Sequence, residues 1–322
     1  MGENGVLIFF ALSGFLITHL LLREKEQTGG INYRHFLIRR ALRLLPAFAA
    51  FWLILAALTA TGYYDIHPAS FAFAAVYLYN FIPKHFYSTH FGLTWSLGVE
   101  EQFYLLWPLA VKWFGKANPT KAIGLITILF LTTSVIFMAI IPGLSLPDYP
   151  ISANGETLNL GDFTVGRVFF PYRWFMPMGS FLLLGCCAAA YANKINQWAS
   201  GKTMWLIAVS LVLFLAPWYL TVLPYFPQKL VQACGFTAFI LYLFLQQESP
   251  IVRLLEWAPF RHLGKISYGL YLYSGIFLGT GISDPTYWWQ TLPLAIIMTY
   301  LTALVSYFVL EKYFLGMKKR WA

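Results

Sequence analysis

The sequence predicts an all-α, polytopic transmembrane bundle of about nine spans with one short re-entrant or interfacial segment. Three observations predict it. First, 59% of the 322 residues are hydrophobic and only 11% are charged, against about 25% charged in an average soluble chain. Second, apolar runs repeatedly reach the ~20 residues that a bilayer core demands. Third, Lys and Arg gather at the ends of these runs, so the net charge of +9 reads as membrane topology and not as a nucleic-acid surface.

The runs are 5–22, 41–61, 69–81, 94–114, 122–141, 172–193, 203–220, 230–246, 266–282 and 289–312. The run 69–81 is short, stopped by Pro83 and ringed by tyrosines. If it does not cross, all of the 22 Lys and Arg except Lys84, Arg167, Arg173 and Lys229 share one side, which is the cytoplasmic side by the positive-inside rule. Residues 62–93 then form an outer segment, and irregular backbone at membrane depth survives only where protein or water covers it. Loop 142–171, with Asp148, Glu156 and Asp162, falls outside and reads equally as a lid or an idle insertion. The chain reads as one integral-membrane domain over 1–322. Cys186, Cys187 and Cys234 lie in apolar runs without metal or disulfide spacing and read as small core residues.

Two stretches carry charge where it is costly. In Thr94–Phe114, Glu100 and Glu101 interrupt an apolar and aromatic run. An intramembrane carboxylate marks a cavity or a buried partner. Adjacent helical positions differ by about 100°, so the two face different ways. The plainer reading is a structural carboxylate held by an Arg or a hydroxyl. In the second stretch, Arg39 and Arg43 are four apart with Arg40 beside them, a register that suits bidentate pairing with phosphate oxygens. The plainer reading is a positive-inside anchor, which would accept Lys equally.

Smaller features are assigned more modest parts. His19, His85 and His90 read as interfacial or loop histidines. Ser13 and Gly14 read as a point of close helix approach, Ser267 as a helix cap, and Glu311 as a carboxylate paired with a basic neighbour. Trp107, Trp113, Trp288 and Trp289 read as interfacial belts.

Four blocks carry a resemblance: 5–18 (GVLIFFALSGFLIT), 39–46 (RRALRLLP), 95–108 (WSLGVEEQFYLLWP) and 263–272 (LGKISYGLYL). In this order they resemble the signatures of the bacterial membrane-bound acyltransferase-3 family, which O-acylates exported glycans. The resemblance implies transfer of an acyl group, usually acetyl, from cytosolic acetyl-CoA or another acyl-CoA to a hydroxyl of lipopolysaccharide, peptidoglycan or exopolysaccharide. It implies an inner-membrane protein whose basic loops and C-terminus are cytoplasmic, and a glycan or lipid-linked sugar as acceptor. No metal and no nucleic acid are implied. It assigns Arg39, Arg40 and Arg43 to the CoA phosphates and the catalytic glutamate block to Glu100 and Glu101, with the arginines at the inner mouth and the carboxylates deeper toward the outer half.

The chain also departs from the family pattern. The resemblance implies one more helix before residue 5, bearing an Arg and a catalytic His, so the chain reads as N-terminally incomplete and impaired as it stands. Leu7 replaces a usual Asp, Ser274 a frequent His and Tyr313 a frequent Pro. A buried glutamate with a raised pKa can substitute for the missing imidazole, which makes Glu100 a candidate base; the resemblance instead implies that Glu100 or Glu101 orients the missing His. The alternatives are a non-catalytic paralogue that binds acyl-CoA or glycan lipid, and a small-molecule transporter.

Overall fold

A computed structural model describes residues 2–114, 118–146, 150–153, 156–159, 164–199, 203–278 and 287–318. Its helices are α1 Gly2–Thr28, α2 Tyr33–Ala60, α3 Pro68–Ala75, α4 Thr94–Phe114, α5 Pro119–Ile140, α6 Val165–Val168, α7 Phe175–Trp198, α8 Trp205–Leu215, α9 Tyr225–Leu245, α10 Pro250–Leu255, α11 Ala258–Phe277, α12 Leu294–Ser306 and α13 Lys312–Met317. A π-helical turn, Tyr307–Glu311, joins the last two. Inside the expected outer loop, β1 Pro150–Ala153 and β2 Glu156–Asn159 form an antiparallel ribbon in which Pro150 pairs with Asn159. Asp148 and Asp162 lie outside the described residues.

Among the described residues, six helices are both long and apolar enough to cross a membrane, against the nine spans expected. The difference is local. The run 203–220 is an apolar helix only over Trp205–Trp218, with Pro217 in its final 3-10 turn. Helices α4 and α11 have the length, at 21 and 20 residues, but their polar side chains dilute the apolar character. Segment 62–93 contains only the eight-residue α3 and two 3-10 turns. At 1.5 Å per residue, α3 covers roughly 12 Å, well short of a bilayer core.

Two helices begin earlier than the hydrophobic runs. The basic stretch before residue 41 is helical: α1 continues to Thr28, Gly29 turns the chain at φ +76°, and the Asn32 side chain caps α2 by accepting from the His35 N–H. Arg39, Arg40 and Arg43 therefore stand on a continuous helix, with Pro46 in its interior. Helix α11 begins at Ala258 with Pro259 in its first turn. Ser267 is thus an interior residue, bonding back to Gly264 O, and not a cap.

The chain falls into two compact units, residues 1–31 with 102–254, and residues 32–101 with 255–322. In the first, α1 packs along α7 with very little between their backbones. A Cβ on Gly14 would lie 1.9 Å from Leu182 O, and one on Gly185 1.9 Å from Ala11 O. Hydroxyls join these helices to their neighbours, as small polar residues do in membranes. Trp107 Nε1 donates to Thr18 Oγ1 at 2.8 Å, and Ser180 donates to Ser134 at 2.8 Å. Trp107 is 4% exposed and belongs to this core, which corrects its reading as a belt residue; Trp113 and Trp288 are exposed.

In the second unit, Phe48, Phe51, Leu55, Tyr79, Phe91, Leu272, Tyr273 and Ala303 belong to one apolar cluster. Replacing Gly185 with Ala forces the α1 and α7 backbones apart and should destabilise the protein by about 1–3 kcal/mol. Thermal unfolding in detergent checks this, and an unchanged midpoint would refute the close approach.

Candidate functional site

The second unit gathers the charged residues of both informative stretches. Helix α11 is fastened to α2 and to the α4 entrance by tyrosines. Tyr268 donates to Leu44 O at 3.1 Å. Tyr271 donates to Leu93 O at 3.0 Å and lies 2.6 Å from Ser96 Oγ. Tyr273 donates to Ser306 Oγ at 2.8 Å, with Ala47 O a longer second acceptor at 3.4 Å. Tyr268 and Tyr273 thus both reach α2, Tyr273 also reaches α12, and Tyr271 holds the start of α4.

At the centre is a carboxylate that the sequence reading left in a minor role. Glu311 is 4% exposed and ends the π-helical turn, where the Lys312 N–H reaches back to Tyr307 O. Ser306 Oγ donates to Glu311 Oε1 at 3.2 Å. Gly269 lies beside it and packs closely on Ala303, which a Cβ would approach to 3.2 Å. Arg43 is within electrostatic reach. Single π turns inside α-helices occur frequently at functional positions.

The two sequence-selected carboxylates differ in environment. Glu100 is 1% exposed and Glu101 is half-buried. Gly98 lets α4 run against the chain at Tyr77, where a Cβ would meet Tyr77 O at 2.6 Å. Tyr77 itself has a left-handed φ of 56°, uncommon for a side-chain-bearing residue. Its phenol is pushed well up by burial, and further by the nearby Glu101. Glu101 is within electrostatic reach of Arg40, and Tyr268 within reach of Glu100, Glu101 and Glu311. Acidic and basic groups expected at separate depths therefore belong to one electrostatic neighbourhood.

Arg43, Arg261, Gly264, Lys265, Tyr268, Tyr307, Glu311 and Leu315 line a cavity of about 430 Å³, within the usual range for small-molecule sites. Beside it, Lys318 is held down to about 8 by partial burial and by the guanidiniums of Arg43, Arg40 and Arg39. Cations gathered in this way raise the local positive potential, which favours anions.

The histidines divide. His19 packs against Phe15 and Phe244, and His85 is exposed. His90 is no loose loop residue: it is 7% exposed, its ring lies 3.9 Å from that of Tyr64, and its Nδ1 is 3.2 Å from Gly275 O. Burial lowers its pKa, partly offset by the Gly275 carbonyl. Among the described residues, no group of three or more His, Cys, Asp or Glu is arranged to hold a metal. The three cysteines are free thiols.

Glu311, Arg261, Lys265 and Lys318 were not selected from sequence. The visible signal was the spacing of Arg261 and Lys265, four apart as in a helix, masked because the apolar run starts later.

A sequence model of the acyltransferase domain family matches residues 1–311. The putative peptidoglycan O-acetyltransferase YrhL of Bacillus subtilis is 29% identical over 344 aligned positions, covering 97% of this chain and 50% of that protein. The peptidoglycan O-acetyltransferase OatA of Listeria monocytogenes is 32% identical over 151 positions, 42% of this chain and 24% of that protein. A putative O-acetyltransferase of Staphylococcus aureus (strain COL) is 37% identical over 119 positions, 34% of this chain and 20% of that protein. The chain thus spans at most about half the length of these curated relatives. No solved structure matches it.

The depressed Lys318 gives a pH prediction with a definite sign. An anion favours the charged ammonium, so affinity for pyrophosphate should fall as pH rises through about 8, and binding near that pH should take up protons. Calorimetry in buffers of different ionisation enthalpy measures the uptake, which Lys318→Met should abolish.

Proposed function

The chain belongs to the acyltransferase domain family whose model matches residues 1–311, and from that premise we propose that it transfers an acyl group, acetyl in the first instance, from acyl-CoA to a hydroxyl of an exported glycan. The observation that carries this reading is that Arg40 acts electrostatically on Glu101, and Arg43 on Glu311, within one unit. A phosphate-bearing thioester and a proton acceptor are then served by the same group of helices. The peptidoglycan O-acetyltransferase names of the relatives support a cell-wall polysaccharide as acceptor.

In this reading Arg39, Arg40 and Arg43 bind the CoA phosphates by charge-assisted hydrogen bonds. The acceptor oxygen attacks the thioester carbonyl, forming the ester C–O bond as the C–S bond breaks. The hydroxyl proton passes to a carboxylate, which hands it on to the departing sulfur, so that CoA leaves as its thiol and the carboxylate is regenerated. Of the two glutamates, the half-buried Glu101 is the better placed to meet a substrate. Glu100 is sealed inside, which suits a positioning part. The arginines and the C-terminal end of α13 face the cytoplasm, where acyl-CoA is available.

A second reading, binding without catalysis, has its own support. Leu7 is a buried core residue, and Ser274 bonds to its own helix at Tyr271 O, so neither supplies the acid or base expected from the family pattern. Acetyl transfer from radiolabelled acetyl-CoA in membranes expressing the chain separates the two. Glu101→Gln should lower transfer by about 10²–10⁴-fold and Arg40→Ala should raise KM for acetyl-CoA. Transfer indifferent to both changes would remove the site assignment. Acetyl-CoA binding without transfer by the unaltered chain would establish the second reading.

A further inference from the structure

The cavity takes only Arg43 from the arginines of α2. Further lining comes from the start of α11, where Arg261 and Lys265 stand four residues apart and so share a helix face. Between them Gly264 also lines the cavity, and the position of its missing side chain is open space. A ligand can therefore approach the α11 backbone there without obstruction. The lining holds three cations, Arg43, Arg261 and Lys265, against one carboxylate, Glu311.

We propose that Arg261 and Lys265 form the second jaw of a clamp, with Arg43 as the first, for a ligand that carries at least two phosphate groups joined to an apolar or aromatic moiety. The assignment of that ligand to CoA rests on the donor reading given above; the phosphate chemistry rests on the cavity itself.

Three features select this class. Guanidinium pairs with phosphate oxygens in a fork geometry, and an ammonium adds a compact charge beside it. Cations on two helices suit phosphates that are linked and separated, as in a pyrophosphate, better than one isolated anion. Tyr307 and Leu315 give the same cavity an apolar side, which inorganic phosphate would leave unused. The buried Glu311 repels phosphate from its own position, so the anionic groups settle among the cations. Lys318, within reach of Arg43, Arg40 and Arg39, extends the positive field beyond the cavity. A mere membrane anchor needs no pocket shared by basic side chains of two helices.

The phosphates could belong to a soluble nucleotide or to an anionic lipid, and the test separates them. The full chain is placed in phosphatidylcholine nanodiscs, with or without cardiolipin, and titrated with coenzyme A, 3′-dephospho-coenzyme A and pantetheine. Coenzyme A should bind in the plain discs, dephospho-coenzyme A more weakly and pantetheine not measurably. Arg261→Gln and Lys265→Gln should each weaken coenzyme A roughly tenfold. Arg261→Lys and Lys265→Arg should keep most of the affinity, which guards against simple misfolding.

If coenzyme A binds the unaltered chain and both Gln variants equally, the clamp is overturned while the donor reading stands. If cardiolipin is held, coenzyme A is not, and both Gln variants lose cardiolipin, the phosphate site stands and the donor reading falls. If the unaltered chain holds neither, both fall.

Discussion

The hydrogen bond from Ser306 to Glu311, with Tyr273 donating to Ser306 behind it and Arg43 in electrostatic reach, ties α2, α11 and α12 to one buried carboxylate. A charge in an apolar chain persists only with a partner beside it, because an isolated one would surrender its proton or its place. Much of the second unit can be understood as providing such partners. Tyrosines on α11 donate to main-chain carbonyls of α2, which keeps the arginine helix in register with the carboxylate. Gly98 removes a side chain where the backbone at Tyr77 comes close, and Gly269 where Ala303 does.

The first unit solves a different problem with the same economy of side chains. Gly14 and Gly185 bring two backbones together, and Thr18, Ser134 and Ser180 pair with partners inside the apolar packing. In lipid there is no water to drive helices together, so close fit and internal hydrogen bonding carry more of the association. Helix α4 supplies its residues up to Glu101 to one unit and those from Gln102 to the other.

Much of the candidate site was legible in the sequence for a simple reason: charge in an apolar run stands out. Glu100, Glu101 and the Arg39, Arg40, Arg43 register were visible on that ground alone. Other parts were hidden because hydropathy marks the buried run and not the helix. Helices α2 and α11 both extend into polar sequence, so Arg261 and Lys265 looked like loop residues. Glu311 sat near the end of a run and gave no sign of the Ser306 bond, which depends on a local departure from α geometry. His90 and Trp107 were misjudged because burial of an aromatic ring is decided by partners far away in sequence: Tyr64 and Gly275 for one, Thr18 for the other.

The π turn at Tyr307–Glu311 has a geometric consequence for everything after it. One extra residue in a turn rotates the following segment by roughly 100° relative to an uninterrupted α-helix. The same twist fixes the heading of Glu311 and of Lys318, seven positions on. Lineages that lost the additional residue would present a different stripe of the C-terminal segment to the arginines, so a one-residue indel here acts as a change of wiring rather than of length.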